Sequence, residues 1–145
     1  MQKSSEFWKA LDDLVENSEI VIDRPKGTKH PKYPDFIYRV DYGYLKNTTY
    51  MDGAGIDVWV GSGDKIIDAI MCIIDLMKRD SEIKILIGCT EDEKRIIYQT
   101  HNETEYMKGI FGDCRNLSSI LFTHSRYLAG STEMYFFAAA RSSSL

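Results

Sequence analysis

Cysteine is scarce in this chain and badly placed for staples or zinc. Cys72, Cys89 and Cys114 are odd in number and widely spaced, with no Cys-x-x-Cys pair. A structural zinc site and a disulfide framework are both disfavoured. The usage fits a reducing compartment, so a cytoplasmic location is expected. No apolar run reaches the ~18 residues of a membrane span, and a membrane partner is not expected. The opening Met1-Gln2-Lys3-Ser4-Ser5-Glu6 is polar and does not read as a signal peptide. An excess of positive charge is also missing. Lys plus Arg is 18 against 22 Asp plus Glu, a net charge of −4. Nucleic-acid binding draws most of its affinity from a basic patch, so no nucleic-acid partner is expected. Proline is confined to Pro25, Pro31 and Pro34, which leaves the rest of the chain free for strands and helices.

What is present is ordinary globular material. The 145 residues are 43% hydrophobic and 28% charged, enough for one domain, or one domain plus an appendage, with a core that needs no staples. Phe7, Leu11, Leu14 and Val15 repeat at helical spacing, so residues 5–16 read as a helix, and 1–18 as an N-terminal helical segment. Ile20–Ile22 reads as a short strand. Asp23–Pro34 is a proline-containing loop with several cations. Phe36–Leu45 reads as an aromatic strand and Ile56–Val60 as another. The apolar run Ile70–Lys78 is expected to return through a turn at 79–81 into a strand over 82–88. On that strand Lys84, Leu86 and Gly88 share one face, with Ile83, Ile85 and Ile87 on the other. Thr90-Glu91-Asp92-Glu93 is a capping box opening a helix over 91–101. His101 at its end is read as a cation favouring the helix C-terminus. Cys72, Cys89 and Trp59 are read as core. Tyr106–Ile110 is a final strand or turn. The expected class is α+β, mainly β, with a core domain over 19–112. Residues 113–145 carry few charges and end in a serine run, and are expected to be an appendage.

The chemistry sits in two neighbouring segments. Tyr38-Arg39-Val40-Asp41-Tyr42-Gly43-Tyr44 is followed by Asp52-Gly53-Ala54-Gly55-Ile56-Asp57. Two carboxylates five residues apart, with two glycines between, can be turned by a tight loop into one cleft. Oxygen ligands of this kind suit a hard cation such as Mg²⁺. The same residues are also common in plain turns. Around them stand the cationic loop (Lys26, Lys29, Lys32), two tyrosines (Tyr38, Tyr42) and the mixed group Asp80-Ser81-Glu82-Ile83-Lys84. Carboxylates for metals and lysines for phosphates, drawn from separate elements, are what phosphoryl-transfer chemistry requires.

The stretch Asp23–Val60 resembles the soluble inorganic pyrophosphatases, in a short bacterial variety. That family carries Tyr-Pro-x-Asn-Tyr-Gly-Tyr before an acidic motif Asp-Gly-Asp-x-x-Asp. Tyr38–Tyr44 is similar to the first, with Arg39 for the proline and Asp41 for the asparagine. Asp52 and Asp57 match the first and third acids, and Tyr42 precedes Asp52 by ten residues, as in the family. The resemblance implies a small OB-like β-barrel with flanking helices, a Mg²⁺ cofactor, pyrophosphate or a related small phosphoanhydride as substrate, and assembly as a homo-oligomer. It makes Asp23, Asp52, Asp57, Asp80 and Glu82 metal ligands. It makes Lys84 a phosphate ligand, and Lys29 another, with Lys26 and Lys32 competing. Tyr38 joins the substrate site. Tyr42 hydrogen-bonds near the attacking water, and Asp57 is the candidate proton acceptor.

The middle acid of the motif is Ala54, which neither binds metal nor accepts a proton. A lost general base costs ~10²–10⁴ in rate, although metal-activated water can sustain turnover. Two readings therefore compete: Mg²⁺-dependent hydrolysis of pyrophosphate to two phosphates, and a degenerate relative that binds phosphate or a nucleotide without turnover. An OB-type oligonucleotide binder is a third; aromatics over Tyr33–Tyr50 could stack on bases, but the acidic balance weighs against it.

Overall fold

The structure is a computed structural model that describes residues 2–50 and 53–112. The expected appendage over 113–145, like Asp52, lies outside the described residues. Helix α1 spans Gln2–Glu16. Strands follow as β1 (Ile20–Arg24), β2 (Asp41–Leu45), β3 (Ile56–Val60), β4 (Ile67–Asp75) and β5 (Asp80–Ile87). Helix α2 (Glu91–Thr100) and strand β6 (Met107–Phe111) complete the order.

The strands form one sheet in the order β1-β2-β3-β5-β4-β6. The mainly β, α+β expectation holds. Closure does not follow: among the described residues β1 and β6 are the two edges of an open sheet, so the pairings do not make the implied barrel. β1, β2 and β3 run as an antiparallel meander. The β4–β5 hairpin then inserts β5 beside β3, parallel to it, with Val58 opposite Ile85.

Alternation along the strands decides which residues face which way. Leu45, Val58, Val60, Ile85 and Ile87 line one face and bury completely or nearly so. They pack with Ile67, Ile70 and, from α1, Trp8, while Leu11, Val15 and Ile20 flank the cluster. Each such side chain stabilises the fold by about 2 kcal/mol. The buried stripe of α1 is thus Trp8, Leu11 and Val15, rotated from the expected one; Phe7 stays about half exposed with its ring edge-on to Trp8 at 5.4 Å. Hydropathy alone did not separate two adjacent aromatics. The opposite face carries Tyr42, Asp57, Trp59, Glu82, Lys84 and Leu86, with Met71 and Ile73 from β4.

The aromatic strand is shorter than the pattern suggests. Only Asp41–Leu45 joins the sheet. Residues 36–38 instead pair back on the proline loop. The Gly27 N–H donates to the Tyr38 carbonyl, the His30 N–H donates to that of Phe36, and Lys29 bridges Ile37. Gly27, at φ 89°, supplies the left-handed residue this reversal needs. The hairpin turn at 76–79 is held by Asp75, whose Oδ1 accepts the N–H groups of Met77 (2.9 Å) and Lys78 (3.0 Å).

Candidate functional site

The parallel β3–β5 pairing sets the site. Asp57 precedes Val58 and Lys84 precedes Ile85, so the two project side by side from the same face. Lys84 Nζ donates to Asp57 Oδ2 at 2.7 Å, forms an ion pair with Glu82 Oε1 at 2.9 Å and donates to the Tyr42 hydroxyl at 2.7 Å. Three donors thus meet three oxygens, which saturates the ammonium. The Lys84 side chain is 6% exposed, while those of Asp57 and Glu82 keep 32% and 23%. Burial opposes the charge on Lys84, and the Tyr42 oxygen, Asp57 and Glu82 outweigh it, so its pKa is raised. Burial likewise raises the pKa of Tyr42 despite the neighbouring ammonium. Tyr42 therefore stays neutral; its oxygen accepts from Lys84 and its own proton turns to Asp57.

Aromatic rings back this cluster. Tyr42 stacks on Tyr38 at 5.4 Å and meets Trp59 edge-on at 4.7 Å. His30 stacks beyond Tyr38 at 6.1 Å. Behind Trp59 lies His101, the residue after α2. Trp59 Nε1–H donates to His101 Nε2 at 3.1 Å, and His101 Nδ1 faces Met107 Sδ at 3.5 Å. An indole N–H only donates, so Nε2 must be unprotonated and the ring proton sits on Nδ1. Burial, aided by the Lys84 charge, depresses the His101 pKa to about 3. The expected helix-terminal cation is therefore wrong. His101 is buried and neutral, because the site where it lands is already occupied by indole, thioether and a nearby ammonium.

Among the described residues the remaining expected ones make no hydrogen bond or ion pair with Lys84, although Tyr38 lies close enough to feel its charge. Asp23 lies on β1 against Arg24, with Nη1 and Oδ2 3.4 Å apart, and near enough to Tyr38 to act on its hydroxyl. Tyr38 is buried, and desolvation raises its pKa against the pull of a hydrogen bond with Arg24. Asp80 is exposed at the hairpin end, opposite Asp75. Lys26 and Lys29 are exposed on the proline loop; the Lys26 backbone N–H donates to Asp41 Oδ1 at 2.7 Å, which ties that loop to β2. The acidic loop is held by a Tyr50 N–H to Ala54 carbonyl bond of 2.7 Å, and the Tyr50 hydroxyl donates to the Ser81 carbonyl at 2.8 Å. That second bond joins the loop to the hairpin that carries Glu82 and Lys84.

The donor chemistry suits a hard cation. Asp57 and Glu82 each give one oxygen to Lys84 from a partly exposed side chain, and Asp57 also takes the Tyr42 proton. Among the described residues no three His, Cys, Asp or Glu side chains gather as a ligand group; Asp52, the first acid of the motif, is not among them. Three participants escaped sequence reasoning. In the sequence Asp41 is only a departure from a motif and His101 a helix-terminal cation, while Trp59 is core as expected but carries a hydrogen bond the pattern does not reveal. The signal for the last pair was the presence of two amphipathic aromatics on facing elements, which has no fixed spacing.

Among the described residues no helix is long and apolar enough to cross a membrane. No protein-family profile matches the chain, and no curated protein matches it. Among solved structures, the chain is similar to an inorganic pyrophosphatase from Coxiella burnetii at 14% identity and TM-score 0.43, covering 67% of this chain and 84% of that one. An inorganic pyrophosphatase from Neisseria gonorrhoeae gives 14% identity and TM-score 0.45, covering 76% and 89%. One from Helicobacter pylori gives 15% identity and TM-score 0.39, covering 80% and 90%.

Proposed function

We propose that this protein hydrolyses inorganic pyrophosphate, or a closely related small phosphoanhydride, with Mg²⁺. One observation carries the reading. Tyr42, Asp57, Glu82 and Lys84 come from three strands, and the side chains of the other three all bond to Lys84. These are the residues to which the motif resemblance assigns water orientation, metal binding and phosphate binding.

In this reading Asp52, Asp57, Asp80 and Glu82 would hold the metal, with Asp23 as a further carboxylate toward it. Bound Mg²⁺ would neutralise phosphate charge and make a coordinated water more acidic. Lys84 turns one or more of its donors from the carboxylates to the departing phosphate, whose charge it stabilises. Asp57, relieved of part of that contact, accepts the proton from the attacking water. Tyr42, neutral and locked between Tyr38 and Trp59, orients the water or a phosphate oxygen. Lys26, Lys29 and Lys32 draw the polyanion toward the site. The protein would act free of nucleic acid and membrane, in the cytoplasm, and a homo-oligomer remains part of the proposal.

Purified protein given pyrophosphate and Mg²⁺ or Mn²⁺ should release phosphate, and Asp57→Ala should abolish the release. No release with either ion overturns the proposal.

A second reading, binding without turnover, draws on Ala54 and on Lys84. The ammonium bonds both carboxylates of the cluster, so its donors are satisfied without a metal, with one negative charge left over.

A further inference from the structure

The strongest feature outside the reacting cluster is the buried pair behind it. His101 follows α2, Trp59 lies on β3 and Tyr42 on β2, so three elements converge on one line of contacts that ends at Lys84. Each link is a direct contact: a hydrogen bond from Trp59 Nε1 to His101 Nε2 at 3.1 Å, an edge-on ring contact from Trp59 to Tyr42 at 4.7 Å, and a 2.7 Å bond from Lys84 Nζ to the Tyr42 hydroxyl. Trp59 is 2% exposed and His101 6%, so water does not replace either partner if the other is removed.

We infer that His101 is a positioning residue: by accepting the Trp59 N–H it fixes the indole against Tyr42, and so holds the hydroxyl that clamps Lys84. It touches no reacting group and holds the clamp through Trp59. An indole with its N–H unpaired in a dry site is driven to rotate toward another acceptor. The ring wall beside Tyr42 then shifts, and the ammonium loses one of its three oxygens. Glutamine preserves the function, because its side-chain oxygen can accept where Nε2 did; leucine does not, although it fills a similar volume.

The test reads Lys84 itself. Reductive methylation of the folded protein, followed by mass spectrometry, compares the rate at Lys84 with that at exposed Lys46. His101→Leu should raise the Lys84 rate about tenfold, the size of effect one unpaired buried donor can have, with His101→Gln within about twofold of the parent. Trp59→Phe removes the same hydrogen bond from the other side and decides the matter if His101→Leu does not fold; it too should raise the rate. Unchanged Lys84 reactivity in the folded variants, or a His101→Gln rate equal to that of His101→Leu, overturns the inference. In its effect on turnover the inference rests on the pyrophosphatase reading. There His101→Leu should lower kcat for phosphate release about tenfold or more while KM holds, since only positioning is lost, and a KM change with kcat intact overturns that part. If the parent protein releases no phosphate while the Lys84 pattern holds, the pyrophosphatase reading fails and the positioning role stands.

Discussion

Lys84 and Asp57 face each other at 2.7 Å because β5 runs parallel to β3 with Ile85 opposite Val58. A one-residue slip in that register would send Lys84 into the apolar face among Val58, Val60 and Trp8, where no oxygen waits for it. The ion pair is therefore a consequence of the register and also a reason for it. Lys84→Met tests the second half of that statement. It leaves Asp57 and Glu82 facing each other uncompensated. Breaking a fully buried pair costs about 3–5 kcal/mol, and the one-third exposure of Asp57 lowers the expectation to about 2–3 kcal/mol. Urea unfolding at pH 7 measures it; a loss under about 0.5 kcal/mol would mean the pair is incidental to stability.

The same cluster sets the alkaline limb. Lys84 and Tyr42 both have raised folded-state pKa values, so the native state holds on to protons that the unfolded chain releases. Their contribution is complete below the unfolded values of about 10 and is lost as pH rises beyond them. Stability should fall steeply above about pH 10, by up to ~1.4 kcal/mol per pH unit for each group. Lys84→Met should make that fall shallower. A limb of equal slope in the variant would show that Lys84 does not titrate as described.

Much of this arrangement could be read in advance, and the reasons differ by residue. The capping box was legible because its partners are three residues apart: the Glu93 N–H donates to Thr90 Oγ1 at 3.3 Å and Glu93 Oε2 accepts from the Thr90 N–H at 3.0 Å. The β4–β5 hairpin is legible from alternation, and with it the shared face of Lys84 and Leu86, but its turn falls at 76–79, ahead of the expected 79–81. The placement of β5 against β3, with β4 outside, is not legible, since strand order is decided by long-range packing. The rotation of α1 is not legible because Phe7 and Trp8 are both large and apolar, and only the shape of the sheet selects between them. His101 is not legible locally because a histidine at a helix end has two opposite fates, charged in water or neutral in a core. The indole that decides between them lies 42 residues away.

Gly43 sits between Tyr42 and Tyr44 for a reason that is structural. A Cβ there would run into the backbone carbonyl of Val21 and lie 2.9 Å from Ile22 Cα. Both obstacles are main chain and do not swing aside. The β1–β2 ladder breaks step at this point, between Val21 and Arg24. Gly43→Ala should therefore cost about 3 kcal/mol or more by forcing β1 off the sheet. Hydrogen exchange should show the loss first in β1 amides, with β4 and β5 protected longer. Uniform weakening of all strands would argue against a local clash.

Acid should find the weak point at His101. The unfolded imidazole takes a proton near pH 6.5, while the folded one resists until about 3. Between those values the unfolded state binds more protons, so stability declines as pH falls, at up to about 1.4 kcal/mol per unit. Glutamine does not titrate. His101→Gln should be comparable to the parent at pH 7 and should lose the histidine share of the slope between pH 6 and 4, measured by urea unfolding at several pH values. An unchanged slope would place the acid sensitivity in the carboxylates instead.

Ala54 offers the sharpest separation of turnover from binding. It is exposed on the loop whose carbonyl bond from Tyr50 is 2.7 Å, and that loop is tied through the Tyr50 hydroxyl to the Lys84 hairpin. Ala54→Asp adds a carboxylate without burying it, so stability should change by less than about 0.5 kcal/mol. If the native protein already hydrolyses pyrophosphate through metal-activated water and Asp57, the added base has little left to do, and phosphate release should rise less than about tenfold. If the native protein only binds, the missing base is what silences it, and release should climb from background by ~10²–10⁴. Asp57→Ala in the Ala54→Asp background closes the argument. It should abolish release in either case, because the new acid restores a proton acceptor but cannot replace the carboxylate that Lys84 holds on β3.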